Sequence, residues 1–118
     1  MTASALQLFR YSAVTWNMHR IHYDRDWAAK EGHAGLLVHS HLHAANAIRV
    51  LTDGLGTAWQ VAHVSYRILR PATEGMCLTA TAEVSAVSED GRELSFLLRE
   101  TDPNGNICLD GTAIARRR

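Results

Sequence analysis

Between Thr15 and Asp24 the chain reads Thr15-Trp16-Asn17-Met18-His19-Arg20-Ile21-His22-Tyr23-Asp24. An amide, two imidazoles, a guanidinium and a carboxylate stand side by side. That density of proton-transferring and hydrogen-bonding groups is what an acid/base site needs. An imidazole is the natural base near neutrality, with a reference pKa of ~6.5. Asn17 can position a water but accepts no proton at neutral pH. Each histidine also has a commonplace fate, one bonding a carbonyl or capping a helix and another facing solvent.

A second stretch, Gly35-Leu36-Leu37-Val38-His39-Ser40-His41-Leu42, leads into an apolar segment. The first N–H groups of a helix have no internal partner. Aimed at a cavity, they can hold an oxyanion or polarise a carbonyl, helped by the helix dipole. An ordinary capped helix start is the plain alternative. Of the seven histidines, six fall between His19 and His43. His39, His41 and His43 alternate, and would share one side only in an extended segment. From Ser40 onward the composition is helical, where positions two apart diverge by about 200° at ~100° per residue. There is no HExxH, and no cysteine lies nearby, so no metal is expected. Cys77 and Cys108 have no histidine close in sequence and are poor nucleophile candidates.

Several elements must position these groups. Leu6 to Val14 reads as a strand with Leu6, Leu8 and Tyr11 inward. Thr15 to Tyr23 reads as a structured loop. Asp24 to Glu31 reads as a short helix with Asp24 as N-cap, stopped by Gly32. Leu42 to Leu51 is apolar on nearly every side, which predicts a buried helix. Ser40 is its expected N-cap, and Gly54 and Gly56 end it. Thr57 to Leu69, Gly75 to Val87, Arg92 to Thr101 and Asn106 to Ala115 then read as strands. Glu89-Asp90-Gly91 and Asp102-Pro103-Asn104-Gly105 are hairpin signals between the last three. The expectation is α+β: an antiparallel meander of about five strands curled around one helix.

The 118 residues, 13.1 kDa, predict a single domain spanning 1–118. A hydrophobic share of 47% supports a packed core. Twelve basic and twelve acidic side chains cancel. This argues against a nucleic-acid or anionic-membrane partner, which needs a net basic face. Arg116, Arg117 and Arg118 read as a solvated tail. Cys77 and Cys108 sit in apolar runs and are expected to be buried thiols in a reducing compartment. No basic region followed by an apolar stretch opens the chain, so the expected location is cytoplasmic. No apolar run reaches the ~20 residues that span a bilayer.

Three segments, taken in order, resemble the MaoC-like hydratases. They are Arg10-Tyr11-Ser12-Ala13-Val14-Thr15, then His19-Arg20-Ile21-His22-Tyr23-Asp24, then Gly35-Leu36-Leu37-Val38-His39. The similarity is greatest to the branch of 3-hydroxyacyl-thioester dehydratases and mesaconyl-CoA hydratases, and to the second half of its double-length members. Tyr66-Arg67-Ile68-Leu69-Arg70-Pro71 and Asp110-Gly111-Thr112-Ala113 resemble the end of that branch. The resemblance implies a single hotdog fold, with the antiparallel sheet wrapped around a long central helix. It implies reversible hydration of trans-2-enoyl thioesters, carried on coenzyme A or acyl carrier protein, without a cofactor. It also implies pairing as a homodimer or with a second hotdog chain. The family's motif histidine falls on His22. Its aspartate falls on Asn17, its asparagine on His19, and its backbone N–H donor on Ser40. His22 is then the main base, and His19 orients substrate or shares proton transfer. Trp16, Met18 and Trp59 are candidates to line an acyl pocket, and His39 is a candidate substrate contact. The alternatives left open are a non-catalytic subunit completing a partner's site, a thioesterase on the same fold, and a small-molecule binding module. A thioesterase would need a carboxylate on the central helix, and residues 42–51 hold none.

Overall fold

A computed structural model describes residues 1–118. It begins with helix α1, Ala5–Thr15, followed by a single 3-10 turn at Arg20–His22 and helix α2, Arg25–Lys30. The long helix α3 spans Ser40–Leu55. Strands β1, Trp59–Ile68, β2, Thr79–Val87, β3, Glu93–Thr101, and β4, Ile107–Arg117, complete the chain.

The segment expected as a first strand is α1. Ser4 is its N-cap, its hydroxyl accepting the Gln7 N–H at 3.2 Å. Leu8 and Ser12, one turn apart, are its buried residues, while Leu6 and Phe9 are exposed. The alternation of Leu6 and Leu8 suggested a strand. The i, i+4 pair that actually faces the core suits a helix. Trp16 ends α1 with φ 55°, its N–H bonded to the Ser12 carbonyl. A left-handed non-glycine residue forces the chain to turn sharply there.

Helix α2 starts as expected. The Asp24 carboxylate accepts the Trp27 N–H at 3.0 Å, and Gly32 follows its end with φ 85°. The N-cap of α3 is His39 rather than Ser40, and no side chain bonds the exposed amides. The helix is buried on one side only. Leu42, His43, Ala44, Ala47 and Leu51 face inward, while Ala45 and Arg49 are exposed.

The sheet has four strands in the order β1-β4-β3-β2, all antiparallel. β2, β3 and β4 form the expected meander. The turns place Gly91 at φ 65° and Gly105 at φ 81°, where glycine avoids the Cβ clash. β1 departs from the expectation, pairing with β4 instead of β2. The link between them crosses the sheet end, so β1 and β2 become opposite edges. α3 packs against β1, β2 and β3. At Gly111 a Cβ would run into the Ser65 carbonyl and lie 2.9 Å from Tyr66 Cβ, so β1 and β4 approach closely only without a side chain there.

Two apolar clusters hold the layers together. One gathers Leu8, Leu36, Val38, Leu42, Leu78 and Cys108 beneath α1 and the lead into α3. The other sets Ala44, Ala47 and Leu51 of α3 against Phe96, Leu98 and Leu109 of the sheet. The small alanines let helix and sheet come close. Cys108 is buried, but Cys77 is exposed, because it precedes β2 in a bridge to Thr2 at the molecule's margin. Arg116 and Arg117 are not tail. They lie in β4, and the Arg116 Nε donates to Glu93 on β3 at 2.8 Å. No helix is long and apolar enough to cross a membrane.

Candidate active site

The 3-10 turn presents His22 to the segment that enters α3. The Leu37 N–H donates to the Ile21 carbonyl at 3.0 Å, and the His22 Nδ1 lies 2.8 Å from the Leu37 carbonyl. A carbonyl only accepts, so Nδ1 carries the proton and Nε2 presents a lone pair when the ring is neutral. The commonplace carbonyl bond of a histidine is thus what turns the Nε2 of this one towards Asn17. The Asn17 amide nitrogen stands 3.5 Å from Nε2. Its Oδ1 accepts the His19 N–H at 3.2 Å, which fixes which end of the amide faces His22. A contact of 3.5 Å is long, and it leaves Nε2 able to take a water instead.

His22 is buried, and its other close neighbour is His39. The two rings stack with centroids 3.7 Å apart and planes 16° from parallel. His39 is 1% exposed, with its Nε2 2.8 Å from the Ser12 hydroxyl and Tyr11 against its ring at 4.8 Å. Burial pushes the His22 imidazole below its ordinary value; the Leu37 carbonyl opposes this, and His19 adds to the lowering. Burial likewise pushes His39 down to about 4, assisted by His22 and His41. Both rings are therefore neutral at pH 7.

His19 lies outside this pair. It is half-exposed and reaches Glu31 at 3.3 Å, with its ring 6.1 Å from His22 and perpendicular to it. Ser40 is the first residue of α3 and follows His39 directly. The Ser40 and His41 amides donate to no backbone carbonyl, as the first amides of a helix do. The structure thus brings His22, Asn17, His39 and the start of α3 together, and leaves His19 at the rim.

Beside Asn17 lies a cavity of about 290 Å³ walled by Phe9, Ala13, Trp16, Met18 and Tyr23, with Ser12 and Asn17 as its polar members. Trp16 and Met18 are 81% and 66% exposed and form its outer lip. Trp59 is elsewhere, at the start of β1 against the second apolar cluster. A wider groove of about 520 Å³ runs between α3 and the start of β2, past Leu42, Asn46 and Arg49. His22, Asn17, His19 and Ser40 do not line it.

One buried polar group escaped the reading of the sequence. The Glu100 carboxylate of β3, fully buried, meets the His43 Nδ1 and accepts from the Asn46 amide at 2.6 Å. Glu100 sits in the alternating run of β3, where only the buried face of the pleat would betray it. His43 and Asn46, three apart on α3, were the available signal.

A curled antiparallel sheet packed on one long helix is the hotdog fold, and the solved structures of that fold include hydratases and dehydratases. The chain superposes along 100% of its length on the (R)-hydratase from A. caviae involved in PHA biosynthesis, with TM-score 0.94, 23% identity and 90% of that chain covered. It also superposes on the ChsH1-ChsH2 complex from Mycobacterium tuberculosis, with TM-score 0.89 and 19% identity over 100% of this chain and 91% of that one. Residues 1–74 match the family model of hydroxyacyl-thioester dehydratase type 2, and the chain belongs to that family. Over 36 residues it is 61% identical to mesaconyl-C(4)-CoA hydratase of Chloroflexus aurantiacus, a span of 30% of this chain and 13% of that protein.

Proposed function

We propose that this chain catalyses the reversible hydration of trans-2-enoyl thioesters to 3-hydroxyacyl thioesters, with His22 as the base. The observation that carries the reading is the orientation of His22. Its Nδ1 is held by the Leu37 carbonyl, and its free Nε2 faces the Asn17 amide one residue-stack away from the start of α3. In hydration, Nε2 takes a proton from the water that attacks the β-carbon, and the resulting imidazolium returns a proton to the α-carbon. Asn17 holds the water in line, and His19 at the rim orients the thioester. Charge that develops on the thioester oxygen is met by the Ser40 N–H and the dipole of α3. The acyl chain lies in the cavity lipped by Trp16 and Met18, and His39 supports the site from behind His22. The carrier is coenzyme A or acyl carrier protein.

The test is the rate of trans-2-enoyl-CoA hydration by the wild type and by His22→Ala. A positioned acid/base group contributes about 10²–10⁴-fold, so kcat should fall by that factor. Equal rates would mean that His22 does no chemistry.

Asn17 favours a second reading. With an amide where the resembling family usually has an aspartate, the chain could complete the acyl site of a second hotdog subunit. Assay with and without a co-purifying chain separates the two, since activity only in the mixture supports this second reading.

A further inference from the structure

We propose that His39 is a positioning residue for His22: a buried ring that fixes the plane of the base and keeps water off one of its faces. The inference rests on the reading of His22 as the base. The near-parallel stack at 3.7 Å covers one whole face of the His22 imidazole. Leu37 anchors His22 at its edge but leaves rotation about that bond open, and the stack closes that freedom. His39 is itself clamped from three sides, by Ser12 at 2.8 Å, by Tyr11, and by its place as N-cap of α3.

The surroundings of the pair contain few charges. His19 faces His22 from its own turn, and His41 acts on His39 from α3. α1 contributes only the Ser12 hydroxyl and the Tyr11 ring. No carboxylate bonds either imidazole, and the Glu31 carboxylate is taken by His19 and Trp27. Burial is the largest influence on the protonation of His22, and His39 covers one face of its ring. His39 also differs from a merely packed aromatic residue. Its hydrogen bond to Ser12 fixes its tilt, and through the stack the tilt of His22.

Imidazole NMR of the intact protein reads the His22 titration directly, whether or not a thioester is turned over. In His39→Ala, water reaches the opened face and the His22 midpoint rises towards its ordinary ~6.5. In His39→Phe the face stays covered and the midpoint stays low. The acid limb of kcat/KM should move with the NMR midpoint. In addition, His39→Phe should lose rate without moving that limb, because the Ser12 bond that sets the tilt is gone. If His39→Ala fails to fold, His39→Val decides, since its short side chain fills part of the volume but leaves most of the His22 face uncovered: a midpoint that rises supports the proposal, and an unmoved one overturns it. The proposal is also overturned if alanine leaves the midpoint in place, or if phenylalanine moves it as far as alanine does. A wild type that hydrates no enoyl-CoA while its His22 midpoint responds as described would overturn the hydratase reading alone.

Discussion

His22, the proposed base, is held by two neighbours, the Leu37 carbonyl at one nitrogen and the His39 face on one side. Restoring a carboxylate at Asn17 would add a third influence. Asn17→Asp should preserve or raise the hydration rate if residue 17 faces the attacking water. The negative charge should also lift the His22 pKa and move the acid limb of the pH–rate profile upward. Steady-state rates between pH 5 and 8 check both. His39 has a separate consequence for stability. Its folded value is about 4, against ~6.5 in the unfolded chain. Between those values the unfolded state binds the extra proton, so stability falls as pH drops through the window. The loss amounts to roughly 3 kcal/mol at most. Urea melts at pH 7 and pH 4.5 should show it, and His39→Phe should reduce the slope. These residues were legible in advance because their types carry chemistry wherever they stand. The stack between them was not, since nothing in the spacing of His22 and His39 tells that a 3-10 turn and a helix entry will lay the rings face to face.

At the scale of elements, the entry to α3 is the sensitive point. His39, the N-cap, has φ −64° and ψ 139°, the extended conformation that a following proline demands. Ser40 is the first helical residue, where proline is well tolerated. Ser40→Pro should therefore keep its thermal stability yet lose at least about 10²-fold in kcat, because the donor N–H is gone. Ser40→Gly should keep most activity. Equal activity of the two variants would exclude the amide from catalysis. Further along α3, His43→Leu removes one of the two partners of the buried Glu100 carboxylate and leaves it the Asn46 amide alone. Breaking such a pair costs about 3–5 kcal/mol, measurable by denaturant unfolding. The strands, both hairpin turns, α2 with its Asp24 cap and the core helix were all visible from periodicity and turn residues. α1 was not. Leu6 and Leu8 alternate like a strand, and only the Ser4 cap and the burial of Leu8 with Ser12 decide for a helix. The pairing of β1 with β4 was equally hidden, since hairpin signals link neighbours in sequence and are silent about a crossing link.

The whole molecule leaves two unpaired sheet edges, β1 and β2, and a lip of exposed Phe9, Trp16 and Met18 beside the site. Open edges and apolar lips are the places where chains associate. The active form should therefore scatter light as more than one 13.1 kDa chain, alone or with a second hotdog subunit. A monodisperse monomer of full activity would refute this.

The groups around His22 all come from one continuous run, from Tyr11 to Ser40, while the β1–β4 ladder joins residues as distant as Trp59 and Arg117. Closing short loops costs less entropy than closing long ones, and long-range strand pairing is slow. The corner around His22 and the sheet thus differ in the timing their topology allows. The turn that holds His22 can order itself while the sheet is still searching for its register, and pulsed hydrogen exchange during refolding would see the Leu37 amide protected before those of β1.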